Sequence, residues 1–218
     1  RAGPGSRKVL MLAYDTAQMD RRVLQEASTL AKAGYDTAIC ELNPLAEYPA
    51  AAPENVRILK PPPAPNMSGA VRIAKKALGR ILSARQKQYL VARFSPPADR
   101  IASAFGGLEF PGWDVLFAHD LSVLPLAVRL ALRATGRGKL VFDAHEIADE
   151  GIESLKARAY WTGIERRFIG AADAVMTVSK PIALAFAEKY ALPRLPSVIL
   201  NSCPYAGPAS DRSLLRKL

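Results

Sequence analysis

The chain of 218 residues has little of what disulfide-bonded, metal-binding and membrane-spanning proteins are built from. Its two cysteines, Cys40 and Cys203, show no ligand-like spacing, so we expect reduced thiols in a cytosolic protein. No apolar stretch reaches the ~18 residues that a spanning helix needs, and the basic start lacks the apolar run of a signal peptide. The sequence therefore predicts no disulfide scaffold, no zinc or redox centre and no spanning helix.

Glycine-rich phosphate-binding motifs are also missing. No strand-like segment is followed by G-x-G-x-x-G, and G-x-x-x-x-G-K-[ST] does not occur. Ser179 stands at a strand-to-helix turn, where a hydrolase nucleophile would stand, but it lacks the flanking glycines that make such a turn sharp. Capping of the following helix explains Ser179 better. The sequence thus predicts no dinucleotide site, no P-loop and no hydrolase elbow.

Acidic residues are absent from one long segment, residues 55–98, which holds nine of the 30 basic residues. The rest of the chain is nearly balanced in charge, so the net charge of +10 comes from this segment. Residues 67–94 show a helical pattern with a partial apolar side that includes Leu78, Ile81 and Leu82. Three interpretations are open at this point: a solvated face, a helix that meets anionic lipid, and a nucleic-acid patch.

Hydrophobic residues make up 50% of the chain. Short β-branched runs alternate regularly with longer helical patterns along the sequence. This alternation predicts an α/β fold with a mainly parallel sheet of about seven strands flanked by helices. The predicted strands are residues 7–14, 36–42, 56–59, 114–118, 139–143, 173–178 and 197–200. The predicted helices are a helix capped by Asp20 and stopped at Gly34, and residues 121–134, 154–172 and 180–191.

The chain contains two histidines, His119 and His145, and both follow predicted strands. In an open parallel sheet, ligands bind beyond the carboxyl ends of the strands. Each histidine therefore either belongs to a site or hydrogen-bonds a loop backbone or the start of a neighbouring helix.

Carboxylates accompany both histidines. Asp120 either joins a site or caps the helix that begins at residue 121. Asp143 and Glu146 either act as acid and base groups or fix the geometry of the loop around His145. A third polar cluster, Asp15 to Arg22, follows the first strand.

Several of these segments resemble the N-terminal domain of GT-B fold glycosyltransferases of glycosyltransferase family 4. The resembling residues, which run in order over roughly 190 positions, are Asp20-Arg21-Arg22-Val23 with Glu26-Ala27, Leu30 and Gly34; 114–120 (DVLFAHD); 141–146 (VFDAHE); 164–167 (IERR) and 172–179 (ADAVMTVS); and 198–201 (VILN). Two departures concern the acceptor: Phe117 stands where many members have a histidine, and Asp15 to Met19 replace a common glycine pair.

The resemblance implies a Rossmann-like acceptor-side domain at residues 7–205. Residues 1–6 are expected to be a cleavage remnant, because Arg1 is not a start methionine and Gly3-Pro4-Gly5-Ser6 resembles a cleavage scar. Residues 206–218 would begin the connection to a C-terminal donor domain outside this sequence. It also implies a hexosyltransferase that retains anomeric configuration and needs no cofactor and no metal. The nucleotide-sugar donor is its substrate, and this domain alone is expected to be inactive.

The resemblance assigns a catalytic role to His119, the strand-end histidine near the transferred sugar. Acceptor binding is expected from the polar residues at the same edge, which are Asp15, Asp20, Arg21, Asp120, His145 and Glu146. The expected partners are a lipid-linked or glycan acceptor, the donor domain and an anionic membrane surface, with no nucleic acid. Arg72, Lys75, Lys76 and Arg80 would contact that membrane from the cytoplasmic side.

Two alternatives of other classes fit the same residues. One is a non-catalytic Rossmann-like module that binds membrane or a partner. The other is a GT-B fold sugar-nucleotide epimerase, which would release nucleotide from a nucleotide sugar without any acceptor.

Overall fold

The computed structural model describes residues 6–15, 17, 20–42, 52–59, 102, 112–133, 138–148 and 154–202. The strands are β1 (Lys8–Ala13), β2 (Asp36–Glu41), β3 (Val56–Leu59), β4 (Val115–His119), β5 (Lys139–Ala144), β6 (Ala174–Thr177) and β7 (Ser197–Val198). The helices are α1 (Arg21–Lys32), α2 (Leu124–Arg133), α3 (Leu155–Phe168), which continues into a short 3-10 helix (Ile169–Ala171), and α4 (Lys180–Tyr190). The predictions on residues 1–5, 67–94 and 206–218, and on Cys203, lie outside these residues.

All seven strands are parallel and form one sheet with the order β3-β2-β1-β4-β5-β6-β7. The predicted α/β fold is therefore confirmed, with strand boundaries that move by a few residues at most. The largest difference is at β7, which ends at Val198 because its only neighbour, β6, ends at Thr177. Strand β4 is shifted by one residue from its predicted position and ends at His119, which pairs with Asp143 of β5.

The sheet is buried on both faces, as expected for parallel strands between helices. Alternate residues of β1 enter two different hydrophobic clusters, because successive side chains of a strand point to opposite faces. Leu10 and Leu12 pack with α2 and with Phe186 of α4. Met11 packs on the other face with Val23 of α1.

Polar side chains cap three of the helices, and two of these caps, Asp20 and Ser179, are as the sequence predicts. Asp20 accepts hydrogen bonds from the backbone N–H groups of Arg22 and Val23, Ser154 caps α3, and Ser179 accepts one from Ile182. Gly34 takes a left-handed φ of 90° just beyond α1. None of the helices in the described part of the chain combines the length and the hydrophobicity of a membrane-spanning helix.

The predicted start of α2 is wrong. The helix begins at Leu124, after a turn over residues 121–123, so Asp120 stands too far upstream to cap it. Asp120 has a φ of 72°, in the left-handed region that L-residues other than Asn and Asp rarely adopt. Its backbone N–H donates to the carbonyl of Asp143 at 3.1 Å, which ties the end of β4 to the end of β5.

Candidate functional site

The two histidines lie at the same edge of the sheet. His119 is the last residue of β4, and His145 follows directly after β5. The order of the strands reverses between β1 and β4, which is where open α/β sheets form a crevice for ligands. Asp20, at the start of α1, faces the same crevice from the β1 side.

The centre of this cluster is Asp143, whose carboxylate is fully buried. Its Oδ2 atom lies 3.1 Å from Nδ1 of His119 and 3.0 Å from Nε2 of His145, and accepts a hydrogen bond from each ring. Its Oδ1 atom accepts a hydrogen bond from the guanidinium of Arg22. One carboxylate thus holds three cationic or polar partners that come from α1, β4 and the loop after β5.

Asp143 stays ionised despite its burial. Burial alone would raise the pKa of this carboxyl, but the hydrogen bonds from His119 and His145, together with the nearby charge of Arg22, hold it well below its usual range. An ionised carboxylate can only accept hydrogen bonds, so Nδ1 of His119 must carry a proton. The Nε2 atom of His119 is then a hydrogen-bond acceptor while the ring is neutral.

The His119 ring is 1% exposed, and its Nε2 atom has no hydrogen-bond partner among the described residues. Phe117, two residues earlier on β4, lies with its ring nearly parallel to that of His119 at a centroid distance of 5.9 Å. A buried nitrogen without a partner is costly, typically about 1–3 kcal/mol, unless a ligand or water meets it. The geometry is therefore that of a buried imidazole oriented through Nδ1, whose Nε2 atom has no hydrogen-bond partner in the part of the chain that the structure describes.

Helix α1 supplies the rest of the inner cluster. Arg22 donates to Glu26 Oε1 at 2.9 Å, one turn along the helix, while its other end reaches Asp143. Burial raises the pKa of Glu26, and the charge of Asp143 raises it further. The Oε2 atom of Glu26 lies 4.0 Å from Nδ1 of His119.

The outer part of the cluster is formed by His145, Asp120 and Asp20. Nδ1 of His145 lies 3.4 Å from Oδ1 of Asp120, on the side of the ring opposite to Asp143. Burial alone would lower the pKa of His145, but the hydrogen bond to Asp143 and the charge of Asp120 raise it overall. Burial raises the pKa of Asp120.

The loop that carries Asp20 is fixed by a buried carboxylate of the neighbouring strand. Glu41, at the end of β2, is 1% exposed and accepts a hydrogen bond from the backbone N–H of Ala17 at 2.8 Å. The Asp20 N–H donates in turn to the carbonyl of Ala17 at 3.0 Å. The start of α1, and with it Arg22, is thereby held against the sheet edge.

The structure brings together most of the predicted site residues. His119, Asp120, His145 and Asp20 meet in one cluster, and Glu146 lines a pocket with Asp120 and His145. Asp15 and Arg21 are exposed in the loop after β1 and at the first position of α1. Their acceptor-binding role, like that of the others, stays a prediction.

Two residues of the cluster were not predicted as site residues. Arg22 and Glu26 are four positions apart on a helix, which in a sequence is typical of a solvent-exposed ion pair. The helical periodicity offers a signal, because Arg22 is next to Val23 and one turn before Glu26 and Ala27, on the side that α1 buries. From its position next to this apolar stripe, Arg22 could have been predicted to form an ion pair with Asp143 at the end of a neighbouring strand.

Two groups in the described part of the chain have side-chain atoms close enough to share a cation: His119, Asp143 and His145, and Asp20, Asp120 and His145. Protein partners account for both arrangements. Asp143 already accepts hydrogen bonds from Arg22 and from the two imidazoles, and Asp20 caps α1.

A larger cavity, of about 620 Å³, lies at the opposite edge of the sheet. It is lined by the first residues of β5 and β7, Lys139 and Ser197, and by Asp173 just before β6. The fold places ligands at the carboxyl edge, and both histidines are there. The candidate site is therefore the cluster at the carboxyl edge, and not the cavity at the opposite edge. This histidine cluster consists of Asp20, Arg22, Glu26, His119, Asp120, Asp143 and His145.

Comparison with known proteins identifies the family and the fold of this chain. The family model described as "Glycosyl transferase 4-like domain" matches residues 19–201. A solved structure of sucrose-phosphate synthase from Thermosynechococcus elongatus is similar with a TM-score of 0.53 at 12% identity, over 90% of this chain and 48% of that chain. A second solved chain of that enzyme is similar with a TM-score of 0.49 at 10% identity, over 92% of this chain and 91% of that chain.

This chain spans about half the length of the first of these structures, and no curated protein sequence matches it. The family model covers most of the chain, including every residue of the histidine cluster. The predicted family is thus confirmed. The chain belongs to the glycosyl transferase 4-like domain family, the N-terminal domain of GT-B fold glycosyltransferases.

Proposed function

We propose that this chain is the acceptor-side domain of a hexosyltransferase. The enzyme transfers a sugar from a nucleotide-sugar donor, with retention, to a hydroxyl group of a lipid-linked or glycan acceptor. A second domain binds the donor, so the present chain alone is inactive and needs no cofactor or metal of its own. The enzyme works at the cytoplasmic side of a membrane, to which the basic segment of residues 55–98 is attracted.

The observation that supports this proposal is the orientation of His119. A buried imidazole whose Nδ1 atom lies on an ionised carboxylate, and whose Nε2 atom has no partner among the residues described, is suited to contact a hydroxyl group. A neutral ring accepts a hydrogen bond from a sugar hydroxyl and can take up partial positive charge as the transition state forms. Asp143 and Arg22 orient the ring and are positioning residues in this scheme.

The test is His119→Ala in the full-length transferase that contains this chain. If Nε2 contacts the sugar in the transition state, turnover should fall ten-fold or more, which corresponds to roughly 1.4 kcal/mol or more of lost stabilisation. Initial rates of nucleotide release and of acceptor glycosylation measure this loss.

The matched control is Leu116→Ala, which removes a buried side chain from the same strand. It should lower the melting temperature and leave turnover intact below that temperature. A His119→Ala enzyme that loses only thermal stability, as the control does, would contradict the catalytic role. Nucleotide release that needs no acceptor would favour an epimerase over a transferase.

A further inference from the structure

A pocket of about 260 Å³ opens beside the histidine cluster, between the carboxyl ends of β4 and β5 and the side of α3. Trp161 of α3 forms part of one wall, and Ser122 lies in the turn after β4. His145, Asp120 and Glu146 also line it. The volume is below the roughly 300–1,000 Å³ of pockets for drug-sized ligands, so it suits a ligand of about one ring.

The polar groups of this pocket select by charge. Two carboxylates and one hydroxyl line it, and neither lysine nor arginine is among the lining residues that the structure describes. The positive charge favoured on His145 is offset by Asp120 and by the buried Asp143. A phosphate or carboxylate group would meet two carboxylates and an imidazole whose positive charge is already offset, whereas a neutral hydroxyl can donate to each acceptor.

Trp161 adds an apolar surface to these acceptors. A half-buried indole beside carboxylates and a hydroxyl combines a flat wall with hydrogen-bond partners, which is what a small polar ring with apolar C–H faces requires. We propose that this pocket binds one neutral, hydroxyl-rich ring, such as a pyranose, and discriminates against phosphorylated or acidic sugars.

The pocket is connected to His119 through its own wall. His145 lines the pocket and shares the Oδ2 atom of Asp143 with His119, and the two imidazole centroids are 6.5 Å apart. A ring in the pocket therefore lies next to the proposed transfer centre. That this ring is part of the acceptor rests on the proposed function, whereas the sugar binding itself does not.

The test is a titration of the 218-residue chain with methyl glucoside, followed through the indole N–H signals in NMR spectra. The chain has two tryptophans, and Trp113 lies before β4 at the other edge of the sheet, where it provides an internal control. We expect the Trp161 signal to shift and saturate with a dissociation constant on the order of millimolar, while the Trp113 signal stays in place. Trp113→Phe assigns the two signals.

The second arm uses glucose 6-phosphate, which should bind at least ~10-fold more weakly than methyl glucoside because the lining repels it. Glu146→Gln should reduce the difference in affinity between methyl glucoside and glucose 6-phosphate. Glu188 is an exposed carboxylate on α4, and Glu188→Gln should leave this difference unchanged. No saturable shift at Trp161, or equal binding of the phosphorylated sugar, would overturn the proposal. Sugar transfer by the full-length enzyme is measured separately, so either proposal can fail without the other.

Discussion

At the scale of single residues, the candidate site depends on one buried carboxylate with three donors. Breaking a buried ion pair from one side typically costs about 3–5 kcal/mol, because the other charge is left without a partner. Asp143 and Arg22 therefore stabilise the fold only as a set with His119 and His145. The same contacts that orient His119 also hold α1 to the end of the sheet.

His145 should make the stability of the chain depend on pH. Its folded-state pKa is raised above the ordinary value of about 6.5, so its contribution is fully present below that pH and is lost as the pH rises through the folded pKa. We expect His145→Asn to remove the part of the unfolding free energy that depends on the protonation of His145. Urea unfolding of both proteins at intervals from pH 5.5 to 9 measures the unfolding free energy of each.

The difference in unfolding free energy between wild type and His145→Asn should shrink as the pH rises over this range. A difference that is constant from pH 5.5 to 9 would contradict the prediction, because it would show that the pKa of His145 is the same in the folded and the unfolded chain. The carboxylate Asp143 does not interfere, because its pKa is shifted downward and it stays ionised throughout this range.

The sequence predicted these residues unequally. His119 and His145 were found because a parallel sheet brings the ends of its strands to one edge, which is a property of topology. Arg22 and Glu26 were missed because their spacing is equally typical of a solvated helix face. Trp161 was missed because an aromatic residue in a helix usually belongs to the core.

At the scale of elements, the helix caps are the clearest local signals. Ser179 accepts a hydrogen bond from the N–H of Ile182 at 3.4 Å, and Pro181 fits the first turn of α4. We expect Ser179→Ala to lower the unfolding free energy by about 1 kcal/mol and the melting temperature by roughly 2–4 °C. Differential scanning calorimetry of the chain measures both values.

Ser179→Thr is the matched control, because threonine keeps the capping hydroxyl and should recover most of the lost stability. If Ser179→Ala were instead as stable as wild type, the capping interpretation would be wrong. Sugar transfer by the full-length enzyme should be unaffected by either substitution.

Element boundaries that depend on tertiary structure were predicted less well. The turn between β4 and α2 requires a positive φ at Asp120, which is fixed by its backbone hydrogen bond to Asp143 on the next strand. Nothing in the local sequence specifies that bond. The two-residue length of β7 is likewise set by its neighbour β6, and the local β-branched run is longer than the strand.

At the scale of the whole molecule, the uneven charge leads to a prediction about membranes. Nine basic residues and no acidic residue lie between positions 55 and 98. Each lysine or arginine near an anionic surface contributes about 1 kcal/mol, and salt screens the attraction over roughly 8 Å at physiological ionic strength. We expect the chain to float with phosphatidylglycerol vesicles at low salt and to be released as the salt concentration rises.

Changing Arg72, Lys75, Lys76 and Arg80 to Glu should abolish flotation. The charge-matched control changes exposed basic residues on the described helices, which are Arg129, Arg166, Arg167 and Lys180. This control should still float. No flotation of the wild type even at low salt, or equal loss in both variants, would favour a solvated face for the basic segment.

The strand order also determines how the chain must fold during synthesis. The central strand β1 pairs with β2 on one side, but its other neighbour is β4, so Val9 finds its partner at Val115. When β1, β2 and β3 have left the ribosome, one edge of β1 still has no partner, and it stays open until more than fifty further residues have been made. Contacts of such long sequence separation form slowly, and open apolar edges invite wrong pairing. The residues that close the candidate site, at the ends of β4 and β5, are thus also those whose arrival ends the most vulnerable stage of folding.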